Sequence, residues 1–306
     1  MAKVVTQEFS AEERRNYIGA SDAAAVLGLS RWSTPLRVWA EKTGQIEPTD
    51  ISQKLQVKLG KKLEQTVAEL FTEETGKKVR RVPTEGYTHR QYPFLVAHID
   101  RKVEGERAIL QCKSVAPWKM KEWEGEEIPQ EFIIQEYHEL ACTEYDRAYV
   151  AVLFGNQDFK WKVIERDEQV LRQMVKKEVN FWNNFVITKI MPMQITSQDK
   201  DVLTQLFPHA KPETVITLGD DANKLIESRN AMYQDAISLE HSIERIENEI
   251  RALLKDNEVG ESKLHRVVWK ERRIQPYIDT ERMKTDKVYQ KYEVFNKKRV
   301  LNFYPR

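Results

Sequence analysis

Hydrophobic positions in the first part of the chain recur at helical spacing and predict three helices. They cover residues 21–27, residues 35–43 and residues 59–75, and serine or threonine residues stand before the first two at capping positions. Glycine is the usual residue just beyond a helix C-terminus. A glycine directly follows each of the three ranges, at Gly28, Gly44 and Gly76.

Beyond residue 93, short apolar runs separated by turn residues predict strands, with longer helical patterns between and after them. Two hairpins are expected, one turning at residues 104–106 and one at Gly155-Asn156. Helices and strands therefore alternate here. The strands are 94–100, 108–113, 148–154 and 159–164, and the helices are 129–144 and 167–185.

The pattern changes after about residue 193. From Leu225 to Leu253, apolar residues alternate at spacings of four and three, interrupted only by Arg229. This spacing predicts a coiled coil or helical hairpin of roughly 35 residues, which we expect to end at Gly260. A basic, aromatic segment with a strand at 265–270 follows. We therefore expect a first domain at 1–195 and an extension at 196–306.

Composition narrows the classes of protein. The 306 residues are 41% hydrophobic and 32% charged, as in a soluble globular protein. The longest apolar run, at 149–154, is too short to span a bilayer, and no signal-peptide pattern is present, so we expect a cytoplasmic protein without membrane attachment. The two cysteines, Cys112 and Cys142, exclude a disulfide scaffold and a cysteine-rich zinc site.

Net charge hides a strong local asymmetry. Lys plus Arg is 49 and Asp plus Glu is 48, which gives a formal net charge of +1. Residues 201–250 contain 4 basic and 10 acidic residues, whereas residues 251–306 contain 15 basic and 8 acidic residues. A nucleic acid responds to local charge more than to the total. The near-zero total therefore excludes a DNA-coating protein but not a DNA-cutting one.

The first hairpin brings together residues that suit metal chemistry. Gln111 and Lys113, two apart on one strand, project from the same face, and the turn at 104–106 places Asp100 near Gln111. Oxygen ligands bind hard divalent ions, and a lysine beside them can orient a water. The ordinary alternative is a turn aspartate and a solvated lysine.

Glu64 borders the apolar stripe of the third helix, next to Val67, Ala68 and Phe71. A carboxylate at such a boundary needs a partner, because burying it unpaired is costly. It therefore joins the candidate site, although an ion pair with Lys61 or Lys62 would also satisfy it.

Several motifs in order resemble the YqaJ-type viral recombinase family, phage-encoded relatives of bacteriophage lambda exonuclease. The resemblance covers roughly residues 10–190, and the C-terminal Trp269, Tyr289, Tyr292 and Arg299 are similar to the tails of some longer phage members. The matching pieces are Arg14-x3-Ile18-Gly19-Ala20-Ser21-Asp22, Gly28-Leu29-Ser30-Arg31-Trp32, Trp39-x2-Lys42-Thr43-Gly44, Gly60-x3-Glu64, Ala97-x2-Asp100, Gln111-Cys112-Lys113, Ile128-Pro129 and Gln135.

The resemblance implies an α/β (α+β) fold of the PD-(D/E)XK nuclease type, with a mixed central sheet flanked by helices. It implies Mg²⁺- or Mn²⁺-dependent digestion of linear duplex DNA from 5′ ends, in a bacterial host that carries the phage or prophage. The remaining 3′ overhang would pass to a phage single-strand annealing protein for recombination. Because a DNA-encircling ring is known in the family, a homo-oligomer is among the expectations.

Carried over by motif position, five residues form the implied catalytic and metal site. Glu64 is the helix glutamate, Asp100 the central metal ligand and Gln111 the residue at the position of the second acidic ligand. The backbone carbonyl of Cys112 also binds metal, and Lys113 orients the attacking water.

Three further residues match substrate-binding positions. Arg14 and Ser21 match positions that hold a 5′-terminal phosphate, and Gln135 matches a polar helix residue that faces the active site.

Gln111 departs from the family pattern, which has glutamate there. An amide supplies one carbonyl ligand but no charge, so attraction for a divalent ion is weakened. Three explanations are open. Gln111 is natural, since Gln-x-Lys resembles the arrangement in some active Mrr-like enzymes; or it is an introduced knockout; or the protein has lost catalysis. In the last case the protein would be a DNA-end-binding or recombination scaffold on a nuclease fold.

Features outside this site have ordinary alternatives. Trp32 either stacks on a duplex end or packs in the core. The basic runs at 77–81 and 270–273 either contact the DNA backbone or are merely solvated. The Cys112 thiol is expected to be a packing group.

Overall fold

The computed structural model describes residues 3–5, 13–82, 86–125, 127–271 and 280–286, with the backbone alone for 3–5. The expectations for Arg272, Arg273, Tyr289, Tyr292, Arg299 and the rest of the basic tail beyond residue 286 lie outside these residues. The chain divides into two compact units, Met1–Pro208 and His209–Arg306.

The first unit extends beyond the expected boundary at 195/196. Thr34 donates a side-chain hydrogen bond to the fully buried Asp199 carboxylate, and Val202 is fully buried in the main hydrophobic core. These contacts hold residues 196–206 to the first unit. The sequence could not show this, because the segment is short and mostly polar.

The helices predicted from the apolar pattern are present among the described residues, α3 begins earlier than expected, and α6 and α8 were not predicted. The first turn of α3 carries exposed Leu55 and Leu59, so the period that faces the core begins only later. The helices are α1 Ala20–Val26, α2 Pro35–Lys42, α3 Leu55–Thr75, α4 Gln130–Thr143, α5 Glu168–Phe181, α6 Lys200–Leu206, α7 Asp220–Leu254 and α8 Thr280–Thr285.

The strands include several that are too short or too polar for the sequence pattern to mark. They are β1 Lys3–Val5, β2 Ile18–Gly19, β3 Val79–Arg81, β4 Gly86–Thr88, β5 Leu95–His98, β6 Arg101–Val103, β7 Ala108–Val115, β8 Arg147–Phe154, β9 Asp158–Glu165, β10 Val259–Glu261 and β11 Arg266–Val268.

A five-stranded mixed sheet in the order β3-β6-β7-β8-β9 forms the centre of the first unit. Strands β7 and β8 are parallel over their whole length, and the other neighbours are antiparallel. Helix α3 covers one face through Val67 and Phe71, which pack against Leu110 of β7. The main core, with residues of α1, α4 and α5, covers the other face. The expected α/β fold, a mixed sheet flanked by helices, is confirmed.

The strand expected at 94–100 is instead two strands in two different sheets. Strand β5 belongs to a smaller sheet in the order β1-β4-β5-β2, whereas β6 pairs with β7 in the central sheet. Between them the chain changes direction at Ile99 and Asp100, where Ile99 is buried and Asp100 is tied to β7 by a hydrogen bond. This break fixes Asp100 at the junction of the two sheets.

The second unit contains the long helix α7 and the β10–β11 hairpin. The expectation that the helix ends at Gly260 is wrong, because α7 ends at Leu254. Gly260 lies in β10, where a Cβ would approach the Leu254 Cδ2 atom to 2.6 Å. A side chain at this position would therefore have to displace the Leu254 methyl group.

Candidate active site

Strand β7 presents alternate residues to opposite faces of the central sheet. Leu110 packs with α3, whereas Ile109 belongs to the core that contains α4 residues. By this alternation Gln111 and Lys113 face the α4 side, as the expected same-face arrangement requires. The alternation along β7 therefore decides whether a side chain of this strand faces α3 or α4.

Asp100 is anchored to β7 by its side chain. Its Oδ2 atom accepts a hydrogen bond of 2.8 Å from the backbone N–H of Cys112. Burial raises the pKa of Asp100 to about 6, while this N–H and the nearby Lys113 act in the opposite direction. The structure therefore brings Asp100 beside the Gln111–Lys113 segment, as the hairpin predicts.

Glu64 is joined to this region by an arginine that directly follows Asp100. The Arg101 guanidinium is almost fully buried, pairs with the Glu64 carboxylate and donates a 2.7 Å hydrogen bond to the Asp100 carbonyl. Neither Lys61 nor Lys62, both exposed, supplies this contact. Glu64 therefore lies close to Asp100 through a shared partner, Arg101.

Lys113 is held by a chain of polar contacts to α4. Its Nζ donates to the Gln135 Oε1 atom at 2.9 Å, and the Gln135 Nε2 atom donates to Glu139 Oε1 at 3.1 Å. The ammonium also lies 5.1 Å from the centre of the Phe132 ring. Gln135 therefore does face the strand residues, and the chain fixes the position of the Lys113 ammonium.

Gln111 is buried without a partner for its acceptor. Its side chain is 7% exposed, and its Oε1 atom accepts no hydrogen bond from the described part of the chain. A buried acceptor without a partner costs free energy and calls for an explanation, such as a bound ion. The oxygen ligands of Asp100, Gln111 and the Cys112 carbonyl suit Mg²⁺ or Mn²⁺ in type. Within the described residues, no three His, Cys, Asp or Glu side chains converge on a metal position.

Two further acids on α4 were missed by the sequence analysis. Glu136 and Glu139 are 0% and 1% exposed, and three of their four carboxylate oxygens have no hydrogen-bond partner. Burial and then Asp100 raise the pKa of Glu139 to about 8, and burial followed by Glu139 raises that of Glu136. The one sequence signal that pointed to Glu139 was its spacing of four residues from Gln135, which places the two side chains next to each other on one face of a helix.

The Cys112 thiol has no nucleophilic character. Burial and then the neighbouring Asp100 raise its pKa far above the ordinary value. The thiolate is the reactive form of cysteine, so this side chain is a packing group.

Arg14 and Ser21 are exposed residues at the entrance to α1. Arg14 lies in a 3-10 turn, Glu13–Asn16, beside Tyr17, and Ser21 lies in the first turn of α1. Strands β2 and β5 run parallel with Gly19 opposite Val96, so both chains leave toward the same edge. The start of α1 therefore lies on the side to which β5 leads, toward Asp100.

Lys42 secures this entrance from α2. Its Nζ contacts the Asp22 carboxylate at 2.7 Å and donates to the Arg14 carbonyl at 2.8 Å. Asp22 in turn accepts a hydrogen bond from the Gly19 N–H. These contacts order the backbone at Arg14 while its guanidinium remains at the surface.

Trp32 lies at the surface and not in the core. It is 67% exposed, and the Lys119 ammonium lies 4.6 Å from the centre of its ring. The adjacent Arg31 is paired with Glu131 of α4 at 2.7 Å and with Glu122 at 2.9 Å. The core-packing alternative for Trp32 is therefore wrong, and Arg31 ties this exposed ring to the helix that carries Gln135.

The basic run at 77–81 is only partly available to a ligand. Lys77 pairs with Glu106, whereas Arg80 and Arg81 are exposed on β3, an edge strand of the central sheet. Residues 272 and 273 of the second run lie outside the described residues. For the helices that the structure does describe, none combines the length and the apolar character needed to cross a bilayer.

Comparisons with known proteins identify the family of the chain. The YqaJ-like viral recombinase domain matches residues 11–146. The chain is 36% identical over 275 residues to an uncharacterized protein YqaJ of Bacillus subtilis (strain 168), covering 89% of this chain and 85% of that protein.

One solved structure shows a similar fold at a TM-score of 0.50, and a second gives a lower score. The exonuclease LHK-Exo of Laribacter hongkongensis, in complex with dAMP, superposes with a TM-score of 0.50 at 17% identity, over 58% of this chain and 91% of that one. A phage-related exonuclease from Haemophilus somnus 129PT gives a TM-score of 0.40 at 12% identity, over 57% of this chain and 96% of that one. Because the match to the Bacillus protein extends over most of both chains, the chain belongs to the YqaJ-like viral recombinase family.

Proposed function

We propose that this protein is a Mg²⁺- or Mn²⁺-dependent exonuclease that digests linear duplex DNA from 5′ ends. The observation that carries the proposal is the junction where Asp100 is bonded to the Cys112 N–H, beside the unpartnered Gln111 oxygen and the fixed Lys113. Family membership supports the recombination role, in which a phage annealing protein uses the 3′ overhang.

The residues divide the work of phosphodiester hydrolysis. A bound divalent ion would supply charge to offset the phosphate and to acidify a water, and Asp100, Gln111 and the Cys112 carbonyl would hold it. Lys113, held by Gln135, would orient the attacking water. Arg101 neutralises Glu64 in the form described here and keeps its carboxylate near Asp100.

The test is digestion of 5′-phosphorylated linear duplex with Mg²⁺ or Mn²⁺. We expect the protein to degrade one strand and Lys113→Ala to lose activity by about two orders of magnitude, the usual contribution of such a group. Lys160→Ala is the matched control, because Lys160 lies on β9, two strands from β7. If neither the protein nor Gln111→Glu degrades DNA while both remain folded, the enzymatic function is rejected.

Recognition of the DNA end is proposed for Arg14 and Ser21. Arg14→Ala should weaken binding to a 5′-phosphorylated end more than to a 5′-hydroxyl end, because only the former presents the terminal phosphate. Arg15→Ala is the matched control, since Arg15 is engaged with Glu47 at 2.7 Å. Equal losses on both ends would discard the phosphate-binding assignment.

A second function is favoured by the neutral Gln111 alone: a DNA-end-binding scaffold without catalysis. It would bind phosphorylated duplex ends tightly, and Gln111→Glu would not create cleavage. Cleavage by the unaltered chain excludes the scaffold, whereas end binding without cleavage by either form supports it.

A further inference from the structure

The buried glutamates of α4 have no role in the function proposed so far. Glu136 and Glu139 lie in a helix that is buried on most sides, and no cation pairs with either carboxylate in the described structure. Burying a carboxylate without a compensating charge is costly, and the usual solutions are a proton, a partner or a metal ion. The burial of two such carboxylates on one turn of α4 therefore calls for an explanation.

Their direction places them against the candidate metal ligands. At 3.6 residues per turn, Gln135, Glu139 and Glu136 fall within one arc of about 100° on α4. Gln135 bridges Lys113 and Glu139 by hydrogen bonds, so this arc faces β7. The buried, unpartnered Gln111 oxygen lies on the same face of β7. The neutral amide of Gln111 and the uncompensated carboxylate of Glu139 therefore face each other.

We propose that the Glu139 carboxylate is the second acidic ligand of the divalent cation and provides the negative charge that Gln111 lacks. The inference rests on the nuclease function proposed above and adds a ligand from a helix to the set on the strands. Asp100 and Glu139 together would balance the two positive charges, with the Gln111 amide and the Cys112 carbonyl as neutral oxygen ligands.

Glu139 is chosen over Glu136 for two reasons. Its Oε1 atom is oriented by Gln135 while its Oε2 atom has no partner, so one oxygen is positioned and the other is free to bind an ion. Glu139 is also linked through Gln135 to Lys113 of β7, whereas neither oxygen of Glu136 has a hydrogen-bond partner in the described structure. Glu139 is therefore the acid of α4 that is connected to the strand residues.

The direct test is Mn²⁺ binding, measured by electron paramagnetic resonance without DNA and at one fixed pH. Glu139→Gln should weaken Mn²⁺ affinity at least about tenfold, since it removes a charged ligand. Glu136→Gln is the matched control, equally buried on the same helix, and should change affinity by less than about threefold. Asp100→Asn should abolish binding.

Stability without metal separates a ligand from a structural residue. Removing an uncompensated buried carboxylate should leave the melting temperature of Glu139→Gln in EDTA equal to or above that of the unaltered protein. The rise in melting temperature on adding Mn²⁺ should be lost, because a ligand that binds only the folded state stabilises it by mass action. A large fall in EDTA would make Glu139 a structural residue and overturn the proposal.

A rescue variant completes the design. Gln111→Glu combined with Glu139→Gln should recover Mn²⁺ binding, because a carboxylate is returned to the same ion from the strand. Equal Mn²⁺ affinity of the unaltered protein and Glu139→Gln overturns the inference. If only variants carrying Gln111→Glu bind Mn²⁺ and cleave DNA, the Glu139 assignment fails while the nuclease fold retains its activity. If no form binds Mn²⁺ or cleaves, the proposed function itself fails.

Discussion

Buried acids near β7 make the stability of this protein depend on pH in an unusual direction. Burial raises the pKa of Asp100 to about 6 and, with Asp100, that of Glu139 to about 8. Over the range between their unfolded and folded pKa values, the folded state binds more protons than the unfolded state. By linkage, the free energy of unfolding then falls as pH rises.

We therefore expect the metal-free protein to lose at least about 2 kcal/mol of stability between about pH 4 and about pH 8, at about 1.4 kcal/mol per pKa unit. Urea denaturation in EDTA across this range measures it. Glu139→Gln should make the decline above about pH 6 less steep, because Glu139 still titrates there whereas Asp100 does not. The raised pKa of Glu136 leaves part of the decline in place. Stability that rises with pH over the same interval would contradict the assignment.

The buried His138–Glu178 pair adds to the decline in the same direction. Burial opposes the charged imidazolium, but the Glu178 carboxylate, 2.7 Å from Nδ1, raises the pKa of His138 well above its ordinary value. The stability it contributes is complete below the unfolded pKa and is lost as pH rises through the folded one. Comparison with Glu139→Gln is therefore needed to isolate the metal-site acids.

Trp32 yields a second prediction at the residue scale. An exposed indole with Lys119 beside it is suited to stack on a base and to attract the backbone. Trp32→Ala should raise the Kd for a duplex end about tenfold, within the usual value of a base–aromatic stack. Fluorescence anisotropy in EDTA measures it, with Phe207→Ala, another exposed aromatic of the first unit, as the control. Equal Kd values for Trp32→Ala and the unaltered protein would remove Trp32 from the interface.

Which site residues could be predicted follows from how local their geometry is. Asp100, Gln111 and Lys113 come together through one turn and one strand, so alternation was sufficient. Glu139 meets them from a distant helix whose buried surface extends around most of its circumference. A single apolar stripe cannot indicate which polar residues such a helix buries, and the partner of Glu64 was missed for the same reason.

At the scale of elements, the main anomaly is the apolar seam of α7. Leu225, Met232, Leu239 and Leu253 are all exposed within the described structure. Ile243 and Ile250 occupy one set of heptad positions, and the other set is mostly leucine, with Met232 and Ile246. This pattern favours a parallel two-stranded coiled coil. Exposed apolar surface of this length indicates an interaction site.

The residues that flank the seam oppose pairing of two copies. In a parallel pair, Asp235 of one helix would lie against Glu240 of the other, and α7 as a whole has eight acidic and four basic residues. We expect weak self-association that becomes stronger as salt is raised, because salt screens this repulsion while the apolar contact remains. Sedimentation at several salt concentrations measures it.

Leu239→Glu should abolish this association, and Ser238→Glu, outside the seam, should not. Association that weakens with salt would show instead that charge attraction elsewhere on the chain drives it. For the homo-oligomer expected by resemblance to the family, this prediction names α7 as the contact surface and an association that becomes stronger with salt.

Element prediction failed where tertiary contacts cut across local pattern. Residues 94–100 have the composition of one strand, yet β5 and β6 join different sheets because Asp100 bonds to β7 instead of continuing the ladder. Conversely, α7 was predicted within a few residues, since its period is set by the helix itself. The break that positions the site was therefore the least visible element boundary in the sequence.

At the scale of the whole molecule, two units differ in what holds them together. Both described hydrophobic clusters of the chain lie within the first unit, whereas Leu254 is the one buried apolar residue described in the second. LHK-Exo covers 58% of the chain, while the Bacillus protein covers 89%. The fold shared with exonucleases is thus smaller than the part shared with the family relative.

Truncation tests what the second unit contributes. A chain ending at Pro208 retains both hydrophobic clusters, so it should fold with a similar melting temperature. It loses the 15 basic residues of 251–306, and phosphate contacts made by basic residues set the salt dependence of DNA binding. We expect weaker DNA binding, a shallower slope of log K against log salt, and an unchanged cleavage rate at saturating DNA.

A chain ending at Glu271 is the control that separates the acidic helix from the basic tail. It keeps α7 but lacks 10 of the 15 basic residues, and it should show nearly the same shallow slope as the shorter chain. If its slope matches that of the full chain, the tail beyond residue 271 makes no phosphate contacts, and the basic residues that bind DNA lie at or before residue 271. The 10 basic residues beyond residue 271 would then have no part in DNA binding, because basic residues that contact DNA cannot be removed without changing the slope.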